Sequence, residues 1–189
     1  MAEIVEFDTA ASAIDGLVFV TMRQVSDERG TVRELFRASA FEAAGVRLDA
    51  FRQINVTETQ AGAVRGMHAE AMTKLVAVVA GEALGVYVDL RAGSSTAGAV
   101  VTAPLVPGKQ VLVPSGVANG FQALVDGTQY AYCFDHEWQP HMAGTACTPL
   151  DPALGIDWPL VIDPEDRAQI SAKDVAAPSV ADVLGARRG

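Results

Sequence analysis

Apolar and polar positions along this chain come in short runs set for strands rather than in the three-and-four rhythm of helices. Residues 31–36, Thr31-Val32-Arg33-Glu34-Leu35-Phe36, alternate as a half-buried strand does. Further strand candidates cover residues 14–20, 50–57, 64–70, 74–79, 84–90, 99–105, 110–113, 120–124 and 130–134. Gly, Pro or Asp turns separate them, at a spacing of roughly 8–12 residues. That spacing predicts an all-β sandwich or barrel and not alternating α/β units. Ser39 is placed to cap a short helix over residues 41–44, which Gly45 closes. Residues 179–184 form a second helical candidate in a Pro- and Asp-rich tail. With no internal repeat and no break in composition, residues 1–189 read as one domain.

Composition narrows the function classes. The formal net charge is −9, which argues against a nucleic-acid or anionic-membrane surface. An anionic ligand would have to meet a local basic cluster, so individual arginines carry information. No apolar run approaches the ~18 residues of a membrane span. The first eight residues are acidic and lack the order of a signal peptide. Cys133 and Cys147 lie outside any metal-ligand spacing and read as buried free thiols. The expected location is the cytoplasm.

The richest chemistry sits in Val64-Arg65-Gly66-Met67-His68-Ala69-Glu70, followed by Lys74. An extended chain alternates its faces, so Arg65, Met67 and Ala69 should point one way and Gly66, His68 and Glu70 the other. A bend at residues 71–73 would bring Lys74 back on the next strand. A base that titrates near neutrality then stands beside a fixed positive charge. The competing reading is a salt-bridged strand edge with His68 as a core histidine. Further on, Pro114-Ser115-Gly116-Val117-Ala118-Asn119 follows the second motif of the cupin barrel, Pro-x-Gly-x-x-His, with Asn119 where that motif has a metal-ligating His. The first motif would need His-x-His and a later Glu, and the chain offers only His68-Ala69-Glu70. The reading is a cupin-type barrel with neither metal nor cofactor; His68, Glu70 and Asn119 remain as the alternative, a set for a weakly bound ion.

Several further pieces fall in a fixed order. They are Asp27-Glu28-Arg29-Gly30 with Glu34 and Phe36, Phe51-x-Gln53-x-Asn55, Arg65-Gly66-Met67-His68 and Lys74-Leu75-Val76. Val88-Asp89-Leu90-Arg91, Ser95-Thr96-x-Gly98, Pro114-x-Gly116-x-x-Asn119-Gly120-Phe121, Asp151-Pro152-x-Leu154-Gly155-Ile156-Asp157-Trp158-Pro159 and Ser171-x-Lys173-Asp174 follow. Together they resemble the dTDP-4-dehydrorhamnose 3,5-epimerase family of nucleotide-sugar epimerases, over residues 14–184. The resemblance implies a cupin-type double-stranded β-helix, or jelly-roll barrel, with short flanking helices. It also implies a homodimer, no metal, no cofactor and a nucleotide-diphosphate sugar, dTDP-linked, as substrate. The His-Ala-Glu variant and the short link to Lys74 mark a subgroup with a shorter active-site loop.

A 4-keto sugar has acidic protons at C3 and C5, because the carbanion delocalises onto the C4 oxygen. Inversion needs a base on one face, an acid on the other and a cation at the enolate oxygen. By resemblance His68 is the base, Asp174 its orienting partner, and Lys74 lies near the C4 oxygen. Arg29 and Arg65 would clamp the diphosphate. Glu34, Gln53, Asn55 and Asn119 would contact nucleotide or sugar, some of them across the dimer.

The acid is where the sequence departs from the family. A tyrosine precedes x-Pro in the family's segment after Tyr130-Ala131-Tyr132; here the segment is Asp135-His136-Glu137-Trp138-Gln139-Pro140. Trp138 takes the tyrosine's position, and an indole N–H does not shuttle protons near neutral pH. Tyr132 and Glu137 are the substitutes at hand. The leading expectation is an isomerase acting at C3, C5 or both of a 4-keto-6-deoxy sugar. The alternatives are another proton-transfer enzyme on a related nucleotide sugar and a non-catalytic nucleotide-sugar-binding dimer.

Overall fold

The structure is a computed structural model that describes residues 2–186. In chain order its elements are β1 (Glu3–Val5), β2 (Asp8–Ala11), β3 (Val18–Thr21), β4 (Gln24–Asp27), β5 (Gly30–Arg33), α1 (Ala38–Ala43), β6 (Gln53–Thr59) and β7 (Val64–Glu70). They continue as β8 (Lys74–Ala80), β9 (Ala83–Asp89), β10 (Val100–Leu105), β11 (Lys109–Val113), β12 (Val117–Ala123), β13 (Thr128–Phe134), β14 (Gly144–Ala146), a 3-10 turn (Pro152–Leu154), α2 (Ala172–Val175) and α3 (Val180–Ala186). All strand pairs are antiparallel. A five-stranded sheet, β10-β9-β12-β7-β14, faces a six-stranded one, β2-β3-β11-β8-β13-β6, and β1-β4-β5 form a third, small sheet. This is the expected jelly-roll barrel.

Most central strands are buried on both faces, which is why they read as apolar runs. Between the sheets lie Val76 and Val78 of β8, Tyr87 of β9, Phe121 of β12 and Tyr130 of β13. The opposite face of the five-stranded sheet presents Met67, Ala69, Val86 and Val88, covered by Leu154 and by Val180 and Val183 of α3. On the outside of the six-stranded sheet, Phe41 of α1 packs with Val20, Leu75, Leu112 and Cys133. The flanking helices are thus lids over apolar sheet faces, and one end of the interior is left for polar side chains. Both cysteines are buried free thiols. Among the described residues, no helix is long and apolar enough to cross a membrane.

The differences from the sequence expectations have local causes. The strand predicted over 31–36 stops at Arg33, and Glu34 turns away to meet Arg37. Ser39 does not cap α1. The helix starts at Ala38, three residues earlier, its N-cap is Arg37 without a side-chain bond, and Ser39 falls inside it. Strands β1, β2 and β14 are too short and too exposed to show apolar alternation. Two strands carry outward-facing apolar side chains: Val32 of β5 in the small sheet is 71% exposed, and Ile54 and Val56 of the edge strand β6 are 60% and 58% exposed.

Candidate active site

Strand β7 carries the centre of the site, and a bulge sets its geometry. Paired with β12, His68 lies opposite Asn119 and Arg65 opposite Phe121, so Gly66 and Met67 together face the single residue Gly120. An extra residue switches the side-chain alternation at that point. Arg65 therefore lines the same cavity as His68, not the opposite face that strict alternation predicts. Two glycines permit this approach. Gly66 has φ +122, and a Cβ there would stand 2.5 Å from Gly120 Cα; a Cβ at Gly120 would stand 2.5 Å from Met67 Sδ.

The cavity has a volume of about 410 Å³, within the ordinary range for a small-molecule site. His68 projects into it from the five-stranded sheet. Its Nε2 lies 2.7 Å from Asp174 Oδ1. Asp174 is 6% exposed and sits on α2, where its backbone N–H donates to the N-cap Ser171 Oγ at 3.1 Å. Burial pushes the Asp174 carboxyl up. Hydrogen bonds and charge from His68, with help from Ser171 and the Gly66 backbone, outweigh it and leave the group below its ordinary value. An ionised Asp174 accepting from Nε2–H fixes the tautomer in which His68 Nδ1 keeps the free lone pair.

Lys74, 2% exposed, begins β8 at the inner end of the cavity. Its ammonium donates to Glu70 Oε2, to Asn119 Oδ1 at 3.2 Å and to the His68 carbonyl at 3.2 Å. Those atoms come from the residues that the sequence offered to a weakly bound ion, and a lysine charge stands among them instead. Among the described residues, no three His, Cys, Asp or Glu side chains gather as a metal set. Burial pulls the Lys74 ammonium below its ordinary value, against the opposing pull of Glu70.

Tyr132 lines the cavity from β13 of the facing sheet. Its ring is held between Tyr130, 4.9 Å away, and Phe134, 5.7 Å away. Burial pushes its phenol well above the usual range, against the pull of Arg65, so it stays protonated. Trp138 lines the same cavity and is 51% exposed; its backbone N–H donates to Gln53 Oε1 at 2.7 Å. Gln53 in turn donates to Asn55 Oδ1 at 3.0 Å, and Asn55 faces the cavity. Arg65 Nε donates to Thr59 Oγ1 at 3.1 Å, which steadies its guanidinium.

Three candidates lie elsewhere. Glu137 lines a neighbouring outer cleft with Arg52, Asp135 and His136. Glu34 is engaged by Arg37 and Arg23. Arg29 stands at the β4–β5 turn, 89% exposed and paired with Asp27, and is not brought to the cavity of its own chain. Conversely, the role of Glu70 as the partner of Lys74 was not foreseen, although the spacing of the two residues across a bend was visible. Nothing in the alternation pattern announced the bulge; the one available signal was glycine at both 66 and 120.

Comparison with known proteins gives the same picture. The sequence model of the dTDP-4-dehydrorhamnose 3,5-epimerase family matches residues 11–182. The chain is 37% identical over 166 residues to the dTDP-4-dehydrorhamnose 3,5-epimerase of Mycobacterium tuberculosis, covering 83% of this chain and 79% of the relative. It is 33% identical over 162 residues to the dTDP-4-dehydro-6-deoxyglucose 3-epimerase of Streptomyces bikiniensis, covering 82% and 80%. The crystal structure of NovW, a 4-keto-6-deoxy sugar epimerase of Streptomyces spheroides, superposes with a TM-score of 0.87 at 29% identity, covering 98% of this chain and 93% of that one. That of a Legionella pneumophila 3,5-epimerase in complex with dTDP-4-keto-L-rhamnose superposes with a TM-score of 0.83 at 33% identity, covering 95% and 97%. The barrel, the order of its motifs and these likenesses agree: the chain belongs to the dTDP-4-dehydrorhamnose 3,5-epimerase family.

Proposed function

We propose that this protein is an isomerase that inverts C3, C5 or both in a dTDP-linked 4-keto-6-deoxyhexose. The observation that carries the reading is the opposition of His68, bonded to Asp174, and Tyr132 across one cavity, with the Lys74 ammonium at its inner end. His68 Nδ1 takes the proton from the carbon next to the ketone, and the electron pair moves onto the C4 oxygen. Asp174 stabilises the imidazolium that results. The Lys74 ammonium, itself buried, meets the enolate oxygen at the inner end of the cavity, where such a charge is most effective. Tyr132 returns a proton from the facing wall, which inverts the carbon. Of the three acid candidates it alone combines a transferable proton with a place in the cavity, since Trp138 lacks the proton and Glu137 lies in the outer cleft.

Arg65 holds the diphosphate at the cavity mouth, and Asn55 with Gln53 contacts the sugar or nucleotide. The protein acts as a homodimer. Exposed Val32, Ile54 and Val56 supply an apolar contact face, and the β4–β5 hairpin with Arg29 reaches towards the partner's cavity. A cytoplasmic setting fits the two free thiols.

A second reading, inversion at a single carbon, is favoured by Trp138. A half-exposed indole occupies the wall where the family's tyrosine would stand, leaving Tyr132 as the only phenol lining the cavity among the described residues. The test is NMR of dTDP-4-keto-6-deoxyglucose in deuterated water. Deuterium should enter at C3, C5 or both with wild-type enzyme, and Tyr132→Phe should retain exchange while losing net inversion. Absence of exchange at both carbons would leave only a binding protein.

A further inference from the structure

One carboxylate in the cavity has no task in the chemistry above. Glu70 ends β7, with 22% of its side chain exposed, and its carboxylate meets the Lys74 ammonium, whose side chain is only 3% exposed. The bend between them is fixed on both sides. Ala71 N–H donates to the Ala143 carbonyl at 3.0 Å, and Thr73 N–H donates to Asp135 Oδ1 at 3.0 Å. We propose that Glu70 is a positioning residue: its carboxylate keeps the buried Lys74 ammonium charged and aimed at the C4 oxygen of the bound sugar. The C4 oxygen in that statement rests on the isomerase reading; the ion pair does not.

An ammonium has three hydrogens, and Lys74 has three acceptors in place: Glu70, Asn119 and the His68 carbonyl. Two of these are neutral dipoles, and only Glu70 brings an opposing charge. The C4 oxygen takes the place of one of the two neutral ones, at 3.2 Å, while Glu70 stays. The remaining titratable groups around the cavity do not substitute for it. His68 and Arg65 on β7 are neutral or positive, Tyr132 on β13 stays protonated, and Asp174 on α2 is engaged by His68. Burial alone would push Lys74 towards the neutral amine, which is a far weaker partner for an enolate. In this shortened loop the strand itself therefore supplies the counter-charge, four residues before the lysine that needs it.

The chain has three lysines, Lys74, Lys109 and Lys173, the last two exposed, so NMR of ¹⁵Nζ-labelled lysine can follow Lys74 beside two internal references. Glu70→Gln keeps the size of the side chain and removes its charge. Loss of an opposing charge at this range moves a titration by about 1–3 pH units. The Lys74 signal and the alkaline limb of kcat should both move down by that amount in Glu70→Gln, and both should stay near wild type in Glu70→Asp. A Lys74 titration that is the same in wild type and Glu70→Gln would overturn the proposal. So would an alkaline limb that stays in place. Should wild type exchange no sugar proton, the isomerase reading falls, and the NMR titration still decides whether Glu70 holds the charge of Lys74.

Discussion

Asp89 and Glu70 end strands β9 and β7 of the same five-stranded sheet, each beside a basic residue, and their surroundings assign them opposite work. Asp89 is fully buried and accepts from Arg91 Nε and Nη2 at 2.9 and 2.8 Å, and from Ser94 and Thr96 hydroxyls at 2.6 Å each. Every partner lies within seven residues. The result is a saturated knot that ties off the loop after β9. Around Glu70 the polar atoms come from β7, β8, β12 and α2, and they converge on an open cavity. A polar cluster with every lone pair used stabilises; one with a lone pair and a charge left facing a cavity can react. Mutation should separate the two regions, one through rate and the other through stability.

The largest effect belongs to His68. His68→Asn removes the lone pair while keeping a donor for Asp174, so deuterium exchange should fall by about 10²–10⁴-fold, the usual contribution of a positioned base. The thermal midpoint should stay close to wild type, because His68 is partly exposed. A variant that lost stability and kept exchange would make His68 a core histidine and erase the contrast.

Asp89 should behave in the reverse way. Asp89→Ala leaves the Arg91 guanidinium without its buried partner, and breaking such a pair costs about 3–5 kcal/mol. Proton exchange in the folded fraction should be unchanged. Acid sharpens the test. Burial pushes the Asp89 carboxyl up, but hydrogen bonds from Arg91, Ser94 and Thr96 win and hold it far below the usual carboxylate range. A folded-state value below the unfolded one gives stability that is present above about pH 4 and lost as the pH falls further. Denaturant midpoints of wild type should therefore drop more steeply below pH 4 than those of Asp89→Asn. Parallel curves would mean that Asp89 is not the ionised centre of the knot.

The two regions also differ in how far the sequence reveals them. The Asp89 knot is local, and Asp89, Arg91 and Thr96 all fall in the motifs Val88-Asp89-Leu90-Arg91 and Ser95-Thr96, with Ser94 just beside the second, although there they serve as family markers and not as a structure. The barrel was legible for a similar reason: the interior strands, from Val76 to Tyr130, write their burial directly into apolar runs. The site was legible only as a set of residues. His68 and Asp174 are 106 positions apart, and no local pattern joins them; resemblance alone paired them. The bulge that turns Arg65 into the cavity leaves no trace in the alternation. Arg29 and Glu34 carry a motif that this chain places away from the cavity, in ion pairs with Asp27 and Arg37, and periodicity says nothing of that placement.

Arg65 tests the bulge itself. With its guanidinium in the cavity, Arg65→Ala should remove a charged hydrogen-bonded contact worth about 1.5–3 kcal/mol, so that dTDP binds about ten- to a hundredfold more weakly by calorimetry. Its one side-chain bond is to the Thr59 hydroxyl, and Arg65 itself is exposed, so stability should change little. An unchanged dissociation constant would return Arg65 to the face that strict alternation gives it.

The smallest expected change is a gain, and it asks whether the reactive region is complete. Trp138 is pinned through its backbone by Gln53, so Trp138→Tyr should leave the loop in place and exchange an indole for a phenol at the same wall. A well-placed acid contributes about 10²–10⁴-fold, but residue 138 is half exposed, so a new hydroxyl there is shared with water. Recovery should stop at a small part of that range, about two- to tenfold in net inversion, visible as a second inverted carbon in the NMR product spectrum. The double variant Tyr132→Phe, Trp138→Tyr separates two ways this could arise. If the new tyrosine rescues inversion lost with Tyr132, the two phenols serve one step from one wall, and Trp138 is the substitution that moved the acid to β13. If it adds the second carbon only when Tyr132 is intact, each phenol serves its own carbon. If Trp138→Tyr changes nothing in either background, the wall at residue 138 shapes the cavity without taking part in proton transfer, and Tyr132 completes the site alone.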